Sequence, residues 1–424
     1  MGTESGSQRT GEQLRAQPLP ETKTQTSVST GDAWSALLAG FLGWTLDAFD
    51  FFLVVYCLTA IGKEFGQSDK AVSVSLLLTL AFRPVGAFIF GMMADRYGRR
   101  LPLMIDLVFY SIVEVATGFA PNFTSFLILR ALFGIGMGGE WGVGASLAME
   151  KVPAKWRGVL SGFLQQGYAL GNLLAAFCFY FLFERWGWRP LFFLGGLPAL
   201  LALFVRLRVK ESEVWQKSKQ ESWSGIRTSL LGQWKLFFYL VLLMAGMNFA
   251  SHGTQDMYPT FLQRFWHMDA HSRSLISALS MVGAIFGGVL IGLLSDHIGR
   301  RRAMVLALLT AILVTPLWAY APSTSLLIVG AFLIQFFVQG AWGVIPAHLS
   351  ELSPNEIRGV LPGFSYQCGV LVASSVPALE ALFAEHMSYA TAMASTAASV
   401  FFVTAIIAGL GREKKGVEFG SAPE

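Results

Sequence analysis

The chain alternates between apolar runs of about 20 residues and short polar connections along most of its length. An α-helix needs an apolar run of this length to cross the hydrocarbon core of a bilayer. Charged residues make up only 14% of the 424 residues, against about 25% in an ordinary soluble domain. The polar side chains are too few to cover a soluble surface, so the pattern predicts an all-α membrane protein.

The apolar runs predict twelve membrane-spanning helices in two groups of six. The first six lie at about 34–57, 72–94, 101–119, 124–148, 159–182 and 188–206, and the last six at about 235–258, 273–296, 302–320, 326–349, 359–383 and 387–410. The chain thus divides into an N-terminal six-helix bundle at 34–206, a polar linker at 207–234 and a C-terminal six-helix bundle at 235–410. Residues 1–33, rich in Ser, Thr, Gln and Glu, are predicted to form a disordered tail, and 411–424 a second tail.

The basic residues predict the orientation in the membrane. Twelve spans place both termini on one side, and 23 of the 31 Lys and Arg residues fall on that side, with six on the opposite side. Because cytoplasmic loops carry an excess of Lys and Arg, we expect both termini in the cytoplasm and the protein in a bacterial inner membrane. The net charge of +4 then reflects this orientation, and we expect no nucleic-acid binding.

The two predicted bundles carry the same residues at a constant separation of 201 positions. The matching pairs include Gly91/Gly292, Asp95/Asp296, Gly98/Gly299, Arg99/Arg300, Arg100/Arg301, Glu150/Glu351, Arg157/Arg358, Trp141/Trp342 and Gln166/Gln367. No gap is needed to align them. A duplicated six-helix unit explains this pattern and predicts two pseudo-symmetric bundles.

Residues 91–100 read Gly-Met-Met-Ala-Asp-Arg-Tyr-Gly-Arg-Arg and resemble the G-x-x-x-D-R-x-G-R-R loop of the major facilitator superfamily. The loop lies between spans two and three, as in that superfamily, and recurs between spans eight and nine with His297 in place of the first arginine. The resemblance implies a twelve-helix transporter that works by alternating access. We interpret both loops as gates of the cytoplasmic side, whose aspartates face a helix N-terminus or a basic partner. The residues assigned to gating are Asp95, Arg99, Arg100, Asp296, Arg300 and Arg301.

Charged side chains inside the spans are functional candidates, because each costs at least ~2.5–3.5 kcal/mol to insert. Asp47 and Asp50 share one face of span one and can carry a proton or pair with a basic residue. Arg83 lies twelve residues before Asp95, or ~18 Å deep at 1.5 Å per residue, near the midplane where such transporters bind substrates. Its guanidinium can bind a carboxylate in a bidentate manner or form a structural pair with Asp47, Asp50 or Glu140.

Span seven carries a polar stripe on an otherwise apolar helix. It consists of Asn248, Ser251, His252, Gln255 and Asp256, at i, i+3, i+4, i+7 and i+8. Histidine is well suited to exchanging protons near neutral pH. Residues 248–260 resemble the N-x-x-[S/T]-H-x-[S/T]-Q-D-x-x-x-T motif of the sialate:proton symporter family, which includes fungal lactate and pyruvate permeases. Residues 158–171, which contain Gln166 and Tyr168, are also similar to those permeases.

The resemblance implies proton symport of an organic acid, with Arg83 tied to the substrate carboxylate and His252 and Asp256 tied to coupling. Small monocarboxylates such as lactate and pyruvate are favoured, because the linker cannot hold the two extra spans of some bacterial sialic acid transporters. The expected hydrogen-bonding residues around the substrate are Asn248, Gln255, Gln166 and Tyr168. The expected proton carriers are His252, Asp256, Asp47, Asp50 and Glu140. Uptake of sialic acid or an aromatic acid stays open, as does a nutrient sensor that binds without transporting.

No nucleophile motif, metal-ligand spacing or phosphate-binding loop occurs in the sequence, and the three cysteines all lie in apolar stretches. We therefore expect no enzymatic activity, no metal and no cofactor, with the proton as coupling ion. The expected partners are a small organic acid and the lipid bilayer. A monomer is the expected state.

Overall fold

The computed structural model describes residues 2, 30–219, 222–255, 258–374 and 388–420. The helices of the first half are α1 (Thr30–Phe65), α2 (Asp69–Tyr97), α3 (Arg100–Gly118), α4 (Phe123–Lys151), α5 (Arg157–Gln165), α6 (Gly167–Trp186), α7 (Arg189–Leu194) and α8 (Pro198–Arg208). Two short helices lie in the linker: α9 (Glu213–Ser218) and α10 (Trp223–Gly232). The second half contains α11 (Trp234–Gln255), α12 (Tyr258–Arg264), α13 (Ala270–Ile298), α14 (Arg300–Ala319), α15 (Thr324–Gly343), α16 (Ile345–Leu352), α17 (Leu361–Ala373) and α18 (Tyr389–Leu410).

The predicted fold class is confirmed. Eleven helical stretches within the described residues are long and apolar enough to cross a membrane. Of the eleventh predicted span, 359–383, only the part up to residue 374 is described. The predicted N-terminal tail lies almost wholly outside the described residues. The all-helical fold is therefore consistent with the twelve spans predicted from the sequence.

Several spans are built from two successive helices. Between α15 and α16 the chain restarts at Ile345 with Pro346 in the first turn. Between α7 and α8 it passes through Gly195 and Gly196 and restarts at Pro198. Proline has no backbone N–H and is best tolerated in the first turn of a helix, as at these two restarts. Two other prolines, Pro84 of α2 and Pro316 of α14, lie inside helices. The apolar runs of the sequence do not show these breaks.

Asp95 joins the two halves on the side where α1 begins and α18 ends, called here the terminal side. Its carboxylate accepts hydrogen bonds from the backbone N–H groups of Gly359 and Val360 in the second half, at 2.7 and 3.0 Å. Arg99 of its own half pairs with the same carboxylate at 2.6 Å. The aspartate therefore binds the free amides just before α17, where the partial positive charge of a helix start favours an anion.

Asp296 makes the same contact in the opposite direction. It accepts hydrogen bonds from the backbone N–H groups of Gly158 and Val159 in the first half, at 2.8 and 2.9 Å. Arg300 pairs with it at 2.7 Å. Each half thus supplies one carboxylate and one helix start, and the two contacts are related by the 201-residue repeat.

Two glutamates add further ion pairs between the halves, each with one arginine from either half. Glu150 contacts Arg99 of its own half at 3.0 Å and Arg358 of the second half at 3.6 Å. The equivalent pairs around the second glutamate are 2.9 and 3.0 Å long: Arg300–Glu351 and Arg157–Glu351. We call these aspartate and glutamate contacts together the terminal-side seal.

Arg100 and Arg301, which were also assigned to gating, do not join the halves. The backbone N–H of Arg100 donates to Glu211 at 3.1 Å, and that of Arg301 donates to Glu413 at 3.0 Å. Each glutamate therefore caps the start of the helix that follows a gating loop, α3 in one half and α14 in the other.

The second tail covers the seal as far as it is described. The ring of Phe419 lies 3.8 Å from the guanidinium carbons of both Arg157 and Arg358. Arg157 also donates to the carbonyl oxygen of Val417 at 3.0 Å. The tail thus packs on one arginine from each half.

We predict that Asp95→Asn weakens the terminal-side seal. Hydrogen bonds to a charged group contribute ~1.5–3 kcal/mol each, and the neutral amide loses the ion pair with Arg99. The measurement is maleimide labelling of an Ala148→Cys variant that lacks the three native cysteines, because Ala148 is buried next to the seal. The labelling rate is expected to rise about tenfold or more.

Asp32→Asn is the matched control, because it removes an exposed ion pair of 3.0 Å with Lys210 on the same side. This control should leave the labelling rate unchanged. An equal rate in the Asp95→Asn variant and its parent would contradict the role of Asp95 in the seal.

Candidate substrate-binding cavity

A central cavity of about 580 Å³ lies between the two halves. Its walls come from α1, α2 and α4–α6 of the first half and from α11–α13, α15 and α17 of the second. All five side chains predicted to bind the substrate line it, although they come from different parts of the chain: Arg83, Gln166, Tyr168, Asn248 and Gln255. His252 lines the same cavity.

Arg83 is the cationic group of this cavity wall. The residue is only 4% exposed, and its Nε and Nη2 atoms have no hydrogen-bond partner. Within the described ranges, no carboxylate lies within 4 Å of it, so the alternative of a close structural pair with Asp47, Asp50 or Glu140 is not observed. Its guanidinium carbon lies 5.9 and 5.8 Å from the ring centres of Trp44 and Tyr366. The guanidinium therefore has unused donors at the cavity.

Close packing of α2 against α4 places Arg83. A Cβ atom at Gly138 would overlap the carbonyl oxygen of Arg83, and one at Gly86 would overlap that of Ile135. Glycine at these positions lets the two helices approach with almost no side chain between them. Thr79 adds a hydrogen bond of 3.0 Å to the carbonyl oxygen of Arg130.

The stripe predicted on span seven faces the cavity from α11. Gln255 donates to Gln335 of α15 at 3.0 Å, and Gln339 donates to Ser251 at 2.9 Å. Asn248 donates to the carbonyl oxygen of Met244 at 2.7 Å. The stripe is thus tied to α15 by side-chain amides. Asp256, the last member of the stripe, lies outside the described residues.

Aromatic residues form another part of the wall; Tyr168 is among the predicted site residues, and Trp44, Trp342 and Tyr366 are not. Trp44 stacks on Tyr168 with ring centres 5.5 Å apart, and Tyr366 lies 4.4 Å from Trp141. Trp44, Trp342 and Tyr366 all line the cavity. Two of these rings could have been identified as site residues from the sequence. Trp44 precedes Asp47 by three positions on the same helix, and Trp342 is part of the internal repeat.

The carboxyl groups predicted to carry the proton lie behind the cavity wall. Asp47, Asp50 and Glu140 are completely buried, and their oxygens have no hydrogen-bond partner in the structure. They do not line the central cavity. Nearby, Arg130 forms an ion pair of 2.5 Å with Glu114, so this arginine has a structural partner.

The family models match both halves of the chain. A model described as "Sugar (and other) transporter" matches residues 23–233, and one described as "Major Facilitator Superfamily" matches 247–422. The sialic acid transporter NanX of Escherichia coli is 30% identical over 88% of this chain and 91% of its own. The chain belongs to the major facilitator superfamily. As a member of this superfamily it is a multi-pass membrane transporter and not an enzyme.

Two further similarities are with a yeast transporter and with a solved structure. A carboxylic acid transporter protein homolog of Saccharomyces cerevisiae is 28% identical over 94% of this chain and 70% of its own. A solved structure of the proton:xylose symporter XylE superposes with a TM-score of 0.73 at 20% identity, over 92% of this chain and 98% of that chain. The structural similarity at this identity concerns the fold alone.

We predict that Gly138→Ala displaces Arg83 and lowers transport. The added methyl group overlaps backbone rather than a flexible side chain, and overpacking of this kind costs ~1–3 kcal/mol. The measurement combines the thermal stability of the purified protein with uptake into proteoliposomes. Gly232→Ala is the matched control, because nothing lies within 4 Å of a Cβ atom at that position. Equal uptake and stability in both variants would show that close packing at Gly138 is unnecessary.

Proposed function

We propose that this transporter is a proton-coupled symporter of a small organic anion, with lactate and pyruvate as first candidates. The observation that carries the proposal is Arg83, a buried guanidinium in the central cavity with unpartnered donors and, among the described residues, no carboxylate within 4 Å. A substrate carboxylate can satisfy these donors with two parallel hydrogen bonds. The names of the yeast and E. coli relatives, a carboxylic acid and a sialic acid transporter, support an organic acid as the substrate.

In this proposal the substrate lies between Arg83 of α2 and the polar stripe of α11. Its carboxylate binds the guanidinium, and its remaining polar groups bind the cavity side chains named for this role: Asn248, Gln255, Gln166 and Tyr168. The donors and acceptors come from both halves. The bound substrate therefore contacts both bundles at once, as alternating access requires.

The negative charge of the substrate is the reason for proposing proton coupling. An anion that enters alone works against the membrane potential, which is worth ~2.3 kcal/mol per charge per 100 mV. An anion that enters with one proton moves no net charge. His252 lines the cavity and is the proposed proton carrier nearest the substrate. Asp47, Asp50 and Glu140 are further proposed carriers. Each would be a buried negative charge that lacks a counter-ion, and a bound proton removes that charge.

The seal defines the conformational step. In the structure, Asp95 and Asp296 hold the halves together on the terminal side, which the basic residues predict to be cytoplasmic. Release of the substrate to that side requires both carboxylates to leave the helix starts that they bind. We propose that occupation of the central cavity shifts the protein towards that open state.

A second candidate substrate is sialic acid or an aromatic acid. The volume of the central cavity, about 580 Å³, falls within the range of roughly 300–1,000 Å³ typical of pockets for drug-sized ligands. A three-carbon acid fills only part of such a volume. The similarity to NanX favours a larger sugar acid, and the stacked Trp44 and Tyr168 rings suit a flat ligand.

We predict that Arg83→Lys raises the KM for L-lactate about tenfold or more, equivalent to ~1.4 kcal/mol, because lysine keeps the charge but lacks the planar fork. Arg83→Ala should abolish uptake. The measurement is uptake of labelled L-lactate into proteoliposomes under an inward proton gradient, with sialic acid as competitor.

Arg185→Lys, at an exposed position in the last turn of α6, is the control and should keep the wild-type KM. An unchanged KM in Arg83→Lys would refute the bidentate role. Uptake of sialic acid without uptake of lactate would retain the transport proposal and change the substrate.

We predict that His252→Ala uncouples transport from protons. The variant should exchange labelled for unlabelled acid across the membrane but should no longer accumulate it under a pH gradient. His271→Ala, at an exposed position, is the control and should accumulate acid like the wild type. Gradient-driven accumulation in His252→Ala would assign the proton to the buried carboxyl groups instead. Binding without accumulation in the wild type would favour a sensor over a transporter.

A further inference from the structure

A second cavity of about 600 Å³, called here the outer cavity, adjoins the central one. It lies towards the start of α13, on the side of the membrane opposite to the termini. Its walls come from α1 and α6 of the first half and from α11–α15 of the second. The two cavities share four lining residues: Asn172, Gln255, Pro259 and Met281. A solute that enters from this side therefore meets the outer cavity before Arg83.

Arg273 is the cationic group of the outer cavity. Its Nη1 atom donates to the amide oxygen of Gln263 at 2.9 Å, and its Nε atom donates to the backbone oxygen of Asp269 at 3.4 Å. Both acceptors are neutral oxygens. No carboxylate lies within 4 Å of the guanidinium in the ranges that the structure describes. Its positive charge is therefore available to an anion in the cavity.

The carboxylate of Asp269 is directed elsewhere. It accepts hydrogen bonds from the backbone N–H groups of His271 and Ser272 at 3.3 and 3.4 Å, at the start of α13. Hydrogen bonds from Ser272 and from the helix start hold the pKa of this carboxyl below its usual range. Asp269 therefore caps a helix and is absent from the lining of the outer cavity.

Two buried donors in the same cavity have no partner. Tyr258 is 5% exposed and Trp318 is fully buried, and both line the outer cavity. The Tyr258 hydroxyl and the Trp318 Nε1 atom have no hydrogen-bond partner in the structure. Their rings stack with centres 5.2 Å apart. Buried donors normally find acceptors, so these two point to a ligand that brings acceptor oxygens.

We propose that the outer cavity is a second organic-anion site, in which Arg273 binds the carboxylate of an incoming acid before the acid reaches Arg83. The Tyr258 hydroxyl and the Trp318 N–H donate to the remaining oxygens of that acid. Gln255 of α11 lines both cavities and donates a hydrogen bond to Gln335 of α15. It therefore marks the boundary between the two cavities, which the acid crosses. This inference rests on the proposed organic-acid substrate and adds a capture step to it.

Kinetics give the first test. Arg273→Gln should raise the KM for L-lactate about fivefold to tenfold with kcat within about twofold, because capture is weakened and the central site is intact. The dependence of kcat/KM on ionic strength should become flatter, because salt screens a steering charge. Arg264→Gln is the matched control: it removes an exposed arginine on the same side that does not line the outer cavity. Equal kinetics and salt dependence in the two variants would overturn the capture step.

Binding is tested separately from transport by a cysteine at Ser277, a half-buried residue of the outer cavity wall. The Ser277→Cys variant, without the native cysteines, is labelled with a maleimide in the presence of L-lactate, N-acetylneuraminic acid or neutral lactamide. The acids should slow labelling, and lactamide should not. Protection should survive Arg83→Ala, be lost in Arg273→Gln and be partly kept in Arg273→Lys.

The outcomes separate the two proposals. Failure of uptake with Arg273-dependent protection intact would overturn the transport proposal and leave the outer site standing. Protection that does not depend on Arg273, or no protection by either acid, would overturn the outer site. Uptake with wild-type kinetics in Arg273→Gln, together with no protection of the cysteine at Ser277, would restrict organic-anion binding to the central cavity.

Discussion

The contact on which the rest of the structure depends is the binding of a helix start in one half by an aspartate of the other. Asp95 and Asp296 each accept two backbone hydrogen bonds across the interface. A purely apolar interface would be held by burial alone and would separate with difficulty. A carboxylate bound to the amides of a helix start instead offers a few directional bonds that water can replace once the halves separate. Opening of the seal, which the proposed transport cycle requires, therefore breaks a small number of directional bonds.

Closure on the terminal side determines where polar groups are exposed between the halves. The central cavity presents Arg83 and the α11 stripe, and the outer cavity presents Arg273. Both guanidinium groups lack a carboxylate within 4 Å in the described part of the chain, whereas Arg99, Arg157 and Arg300 of the seal are all paired. Arginines that hold the fold together are thus neutralised by the protein. Those that line the cavities are the proposed binding groups for an anion from outside.

Helical spacing and the repeat predicted much of this arrangement. The depth of Arg83 follows from the rise per residue of α2, and the spacing of the stripe follows from the helical periodicity of α11. The sequence alone was therefore enough to predict that both take part in one site. The capping residues Glu211 and Glu413 could not be predicted in the same way, because each lies 112 positions from an amide that it binds, Arg99 or Arg301. Contacts of that range depend on how whole helices pack.

The two halves carry identical charged residues in the terminal-side seal but differ in the charged residues inside their spans. Every charged residue of the seal has an identical partner 201 positions away. In contrast, the charged residues inside the first-half spans are replaced by neutral ones: Asp47 by Asn248, Asp50 by Ser251, Arg83 by Ala284, Asp106 by Ala307, Glu114 by Thr315, Arg130 by Ala331 and Glu140 by Ala341. A gate of the kind proposed for the seal needs both halves to make matching contacts, which explains why both copies of the repeat keep these residues. The proposed binding site for one anion and one proton needs a single set of charges, and a second buried set would add desolvation cost without a ligand to offset it.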